Sequence, residues 1–156
     1  LSCIMSSYRQ IYYHIIFGTK NRESTIAPSH EDELYKYIAG IIKNHQCKLY
    51  RINGMPDHIH IFTDLHPSVC LSDLVKNIKV ASSIWLKANG NFPSFTGWQE
   101  GYGAFSYAHS QIENVYQYIA NQEEHHRKKT FKEEYLKNIQ KFEIEFDEKY
   151  LFEWME

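Results

Sequence analysis

Pro56-Asp57-His58-Ile59-His60-Ile61-Phe62 is the stretch on which the fold turns, and it also points to the chemistry. Its β-branched and aromatic residues read as a strand. Residues two apart on a strand leave the same face, so His58 and His60 share one side and Ile59 and Ile61 the other. A second stretch, Tyr118-Ile119-Ala120-Asn121-Gln122, lies in a segment of helical character. Residues four apart share a helical face, so Tyr118 and Gln122 project together. If that helix crosses that strand, two imidazoles, an amide oxygen and a phenol meet. Such a group can hold a metal ion beside a nucleophile, which suits phosphoryl transfer.

Outward from this stretch, Lys48 to Ile52 reads as a preceding strand. Asn53-Gly54 is a tight-turn signal, so the two strands are expected to form a hairpin. Upstream, residues 8–17 are β-branched and aromatic and read as a first strand. Thr19 to Pro28 is a polar loop. Ser29, with Glu31, Asp32 and Glu33 behind it, signals a helix start. That helix runs to about His45 and is expected to bury Leu34, Tyr37, Ile38, Ile41 and Ile42. Downstream, Leu71, Leu74, Val75, Ile78, Ala81 and Trp85 recur at helical spacing over Leu71–Ala88, and Asn89-Gly90-Asn91 ends the helix. Residues 95–107 read as two short strands around Glu100-Gly101-Tyr102-Gly103. Gln111 to about Arg127 is a third helix, which Lys128 to Lys141 continue or restart. Phe142 to Trp154 is expected to pack along the surface. This order predicts a ferredoxin-like α+β sandwich, an antiparallel β-sheet with helices on one face. One domain is expected over residues 8–154. Residues 1–7 read as an N-terminal extension in which Met5 is a candidate natural start.

The chain has 156 residues and a formal net charge of -2, with its 9 His neutral. A protein that coats DNA broadly is usually clearly basic, so the charge argues against that class but leaves room for a local grip on one nucleic acid. The three cysteines, Cys3, Cys47 and Cys70, form no C-x-x-C pair, which fits a reducing compartment and no zinc knuckle. No apolar run approaches a membrane span. A cytoplasmic, nucleoid-associated protein is the expectation.

Neither the histidine pair nor the tyrosine–glutamine pair is specific alone in a chain with 9 His and 12 Tyr. The histidines could be half-exposed edge residues, and Tyr118 could be a boundary packing residue. Asp57 reads as a turn residue rather than a histidine partner, because strand alternation points it away from His58. His125 and His126, followed by Arg127-Lys128-Lys129, could hold phosphates or cap a solvated helix end. Lys76, Lys79 and Lys87 read as a solvated face that could also meet a DNA backbone. Trp98 and Tyr102 could stack on bases or pack the core.

The combination is far more specific. His58-Ile59-His60 with apolar neighbours, and Tyr118 with Gln122 on a late helix, occur together with Tyr12-Tyr13-His14-Ile15-Ile16-Phe17-Gly18-Thr19-Lys20. Trp98-Gln99-Glu100-Gly101-Tyr102-Gly103-Ala104-Phe105-Ser106 and Asn121-Gln122-Glu123-Glu124-His125-His126-Arg127 add to them, as does Phe131-Lys132-Glu133-Glu134-Tyr135. Over residues 8–154 the chain resembles the HUH single-strand DNA nucleases, specifically the single-tyrosine transposases of the insertion-sequence 200/605 group and the related REP-associated tyrosine transposases. The resemblance implies an HUH-type fold. It also implies a divalent metal, Mg²⁺ or Mn²⁺, on His58, His60 and Gln122, and Tyr118 as the nucleophile. It implies cleavage and rejoining of single-stranded DNA through a 5′-phosphotyrosine intermediate, hairpin element ends as partners, and a homodimer whose subunits can share active sites. The alternative is a domesticated or inactive relative that binds DNA hairpins without transposing. A histidine-triad nucleotide hydrolase is disfavoured, because Phe62 stands where a third alternating histidine is needed.

Overall fold

The computed structural model describes residues 11–121. Along the chain run β1 (Tyr12–Gly18), α1 (Glu31–Asn44), β2 (Leu49–Met55), β3 (His58–Asp64), α2 (Leu71–Ala88), β4 (Gly103–Ser106) and α3 (Ile112–Ala120). The strands form one antiparallel sheet in the order β2-β3-β1-β4. This is the ferredoxin-like arrangement of strands and helices, followed by an extra helix. The α+β sandwich expected from the sequence is present.

Alternation along β1 and β3 sorts the side chains onto two faces. Ile15, Phe17, Ile59 and Ile61 pack with Leu34, Ile38 and Ile42 of α1 and with Leu74, Val75, Ile78 and Leu86 of α2. Full burial of each such side chain contributes ~1.5–3 kcal/mol, so this face holds the main core. Glu31, Asp32 and Glu33 occupy the first turn of α1, where carboxylates complement the helix dipole. Tyr35 is buried there rather than the expected Tyr37. Tyr37 instead stacks on Trp85 of α2, with ring centroids 5.0 Å apart.

The expectation that all helices share one face is corrected by α3. Phe62 points to the opposite face and packs under Val115 and Ile119, with Tyr12 and Tyr50 at the margin. The parity that sends Ile59 and Ile61 to the main core sends His60 and Phe62 away from it. That second face carries enough apolar surface to need a cover, and α3 supplies one. Among the described residues, no helix is long and apolar enough to cross a membrane.

The hairpin turn is also displaced from its expected position. Asn53 and Gly54 lie inside β2, paired with His60 and Ile59, and the turn falls at Pro56-Asp57. An Asn-Gly turn needs positive φ, which neither residue adopts here. Asn53 serves other ends: its amide donates to the Ala120 carbonyl at 3.2 Å and fastens the end of α3 to the sheet. A register shift between Leu49 and Arg51 turns Tyr50 and Arg51 both toward α3. Tyr50 meets Phe62, and the Arg51 guanidinium lies 5.6 Å from the Tyr116 ring centroid. Residues 95–107 contribute one strand rather than two. Trp98 makes only an isolated bridge to Thr19.

Candidate active site

His58 opens β3, His60 follows on the same face, and both are buried. Their rings stand 5.1 Å apart in an edge-on arrangement. Each is anchored through Nδ1. His58 Nδ1 lies 2.7 Å from Asp57 Oδ1, and Asp57 Oδ2 accepts from Arg22 Nη2 at 2.6 Å. His60 Nδ1 lies 2.8 Å from Nε2 of His14, a diagonal neighbour on β1. The other His14 nitrogen, Nδ1, lies 3.3 Å from the Tyr107 hydroxyl just beyond β4. With Nδ1 so engaged in both rings, Nε2 is the nitrogen each could give to a cation. Carboxylate or carbonyl partners on the far side of ligating imidazoles are the usual arrangement.

Tyr118 on α3 reaches this group. Its ring is edge-on to His60 at 6.0 Å and to His14 at 6.1 Å between centroids. The helix–strand crossing anticipated from the two spacings therefore exists, and it brings Tyr118 and the histidines of one chain together. Gln122, the third expected ligand, lies outside the described residues, as do His125, His126 and the 127–129 basic run. Among the described residues, no three His, Cys, Asp or Glu side chains converge as a complete cation site. Neutral imidazole is a common ligand of divalent cations, so His58 and His60 fit a divalent ion, while imidazole donors alone do not select Mg²⁺ or Mn²⁺ over Zn²⁺ or Ni²⁺.

Asp57 sits in the turn as expected, but it does partner His58: off the strand, alternation does not govern its side chain, which turns back onto that ring. Burial would raise its carboxyl, but the hydrogen bonds and charges of His58 and Arg22 outweigh this and hold it at about 2. Arg22 has φ 57°, and Asn21 beside it has the same left-handed value. Backbone of that kind costs non-glycine residues ~1–3 kcal/mol, and the ion pair with Asp57 holds it in place. Burial pushes His14 down to about 3, which keeps its ring neutral at ordinary pH.

The folded value of Asp57, about 2, lies below the ordinary 3.8, so its carboxylate stabilises the fold above the ordinary value. That stability is lost as pH falls from about 4 toward 2. Asp57→Asn is expected to cost ~2 kcal/mol at neutral pH and to flatten this acid limb. Urea unfolding of both proteins from pH 2 to 7 checks it. Parallel curves would show that the carboxylate is not held by its neighbours.

Other candidates resolve toward structure. The Trp98 indole donates to Ser82 Oγ at 2.9 Å and packs edge-on to Phe17 and Phe95, so it is a core residue. Lys79 is not solvated as expected: its ammonium donates to the carbonyls of Gln99 and Gly101 and ties that loop to α2. Burial lowers Lys79 to about 8. Lys76 and Lys87 are exposed. His14, Arg22 and Tyr107 were not anticipated as parts of the site. The available signal for His14 was a single imidazole in an otherwise apolar strand. A loop arginine and a tyrosine after a short strand carried none.

Fold and side chains define the class: an α+β sheet whose paired strand histidines lie under a helix tyrosine. The family described as transposase IS200-like matches residues 7–122. The chain belongs to that family. It is 28% identical over 74 residues to the ISDra2 transposase TnpA of Deinococcus radiodurans, a match covering 47% of this chain and 53% of that protein. It thus spans about half the length of the curated relative it matches. A crystal structure from Deinococcus radiodurans, described as a transposase, is 25% identical with a TM-score of 0.55, over 75% of this chain and 95% of the other. A REP-associated tyrosine transposase bound to a REP hairpin shares the fold, with TM-score 0.57 and 16% identity over 75% of this chain and 72% of that one.

Proposed function

We propose that this chain cuts and rejoins single-stranded DNA with Tyr118 as the nucleophile. The observation that supports it best is the Tyr118 ring lying 6.0 Å from that of His60 in the same chain. The Tyr118 hydroxyl oxygen attacks a DNA phosphorus and gives up its proton. A phosphorus–oxygen bond forms to Tyr118, and the bond to the 3′ oxygen breaks. That oxygen leaves with the bonding pair and takes a proton as a free 3′-OH. A second strand's 3′-OH later attacks the same phosphorus and expels Tyr118. Each step exchanges one phosphorus–oxygen bond for another, so joining needs no ATP.

His58, His60 and Gln122 would hold a divalent cation, Mg²⁺ or Mn²⁺, which when bound draws charge from the scissile phosphate. His58 and His60 enter this role pre-oriented by Asp57 and His14. The DNA is proposed to be a folded single strand at an element end, the kind of ligand named for the REP-associated relative. A net charge of -2 suits recognition of one folded shape better than general coating. The chain is proposed to act as a homodimer whose subunits can share active sites.

The test uses single-stranded hairpin oligonucleotides taken from the flanks of the gene, labelled at either end, with Mn²⁺ present. The expected product is a denaturant-resistant adduct carrying the 3′ label only, because the protein is joined to the 5′ phosphate downstream of the cut. An adduct carrying the 5′ label would reverse the polarity and refute this mechanism. Tight binding with no adduct on any flank hairpin would favour a DNA binder that no longer transposes.

A further inference from the structure

We propose that His14 is a positioning residue: it fixes which nitrogen of His60 is available to the cation. The proposal rests on the reading of His60 as a ligand. A neutral imidazole has one N–H and one lone pair. For His60 to offer Nε2, its proton must sit on Nδ1, and a buried N–H needs an acceptor. The group facing His60 Nδ1 is His14 Nε2, at 2.8 Å. To accept there, His14 must carry its own proton on Nδ1, which faces the Tyr107 hydroxyl at 3.3 Å. A hydroxyl oxygen can accept that proton's hydrogen bond.

The three groups therefore form a chain with a direction: His60 Nδ1–H to His14 Nε2, then His14 Nδ1–H to the Tyr107 oxygen. The opposite direction is also self-consistent. There Tyr107 donates to His14, His14 donates to His60, and the His60 proton is forced onto Nε2, where it blocks a cation. The two states differ only in proton positions, so no side chain has to move. A cation on His60 selects the first direction. His58 needs no such chain, because Asp57 is an anionic acceptor that only accepts. The two ligands are thus oriented differently, one by a carboxylate and the other by a third histidine.

The fold explains the pairing. β1 and β3 are adjacent, and His14 is diagonal to His60 on the face that α3 covers. Their ring centroids lie 5.0 Å apart with planes 29° apart, the near-coplanar, side-by-side arrangement that an in-plane N···N hydrogen bond of 2.8 Å needs. A phenylalanine at 14 would keep much of the packing and lose the acceptor. A glutamine would keep an acceptor oxygen.

The experiment is calorimetric titration of the metal-free protein with Mn²⁺, comparing wild type with His14→Phe, His14→Gln and His60→Ala. His14→Phe is expected to weaken Mn²⁺ binding ~10–100-fold, the usual effect of removing the group behind a metal-bound imidazole. His14→Gln should recover most of that loss. If the phenylalanine variant does not unfold cooperatively, His14→Leu against His14→Gln makes the same comparison. In Mg²⁺-saturated wild type, nitrogen NMR should place the His60 proton on Nδ1. Unchanged affinity in His14→Phe or His14→Leu, with binding lost in His60→Ala, would overturn the role of His14 alone. Unchanged affinity in His60→Ala would overturn the ligand reading beneath it. A glutamine variant as weak as the phenylalanine one, or a His60 proton on Nε2, would also refute the proposal.

Discussion

Tyr118→Phe is expected to fold, to bind hairpin DNA as the wild type does, and to form no covalent adduct. The ring of Tyr118 packs edge-on against His60 and His14 at the margin of the Phe62, Val115 and Ile119 cluster. Phenylalanine keeps that ring and loses only the hydroxyl. The cost in stability is expected to be ~1 kcal/mol or less, the net worth of one hydrogen bond. The cost in chemistry is of another order, because the hydroxyl oxygen is the atom that joins the phosphorus. Cleavage should fall roughly 10³-fold or more, as when a nucleophile is removed from a group that acts as a unit. Denaturing gels for the adduct, gel shifts for binding and a thermal melt together make the check. Adducts that persist in the phenylalanine variant would place the nucleophile elsewhere. Cleavage that persists without an adduct would point to attack by water.

Parity made the central part of this site legible. The two-residue spacing put His58 and His60 on one face of β3, which follows from local backbone geometry, while the crossing of α3 that carries Tyr118 over them is a tertiary contact that spacing alone left conditional. The same rule failed at Asp57, one position earlier, because the turn begins there and releases the side chain from alternation. Asn53-Gly54 misled for a related reason. A tight-turn dipeptide is a statement about positive φ, and here the tertiary structure uses both residues in extended backbone, one for its amide and the other for its lack of a side chain. His14 and Arg22 are long-range partners, separated from their contacts by 46 and 35 residues. No periodicity links such positions; only the pairing of β1 with β3 and the path of the loop after β1 bring them in. The placement of α3 opposite the other helices follows from the character of the second face. His60, Phe62, Tyr12 and Tyr50 make a surface that is aromatic and polar at once, and this was readable only after the register was known.

Gly54→Ala is expected to damage fold and site together. A Cβ built at Gly54 would collide with the His58 carbonyl oxygen and lie 3.1 Å from the Ile59 Cα. Both obstacles are backbone in a paired strand, so neither can swing aside as a flexible side chain would. Relief requires β2 and β3 to part beside the Pro56-Asp57 turn, where Gly54 pairs with Ile59. Overpacking of this kind costs ~1–3 kcal/mol or more, and the backbone target places this case at the upper end. In a domain of this size, 1 kcal/mol is ~2–4 °C, so the midpoint of thermal unfolding should fall ~10 °C. Gly40, exposed in α1 with nothing within 4 Å of a built Cβ, is the control: alanine there should raise stability by ~0.5–1 kcal/mol. The two alanines differ in what they meet, so opposite signs would locate the effect in the strand contact rather than in glycine as such. Displacement of the His58 carbonyl also moves the first residue of the histidine pair. Mn²⁺ affinity should therefore drop in Gly54→Ala at temperatures where the variant is still folded, and remain unchanged in Gly40→Ala. A Gly54→Ala protein of wild-type stability would mean that the strands part at little cost and that the hairpin does not hold the site rigidly.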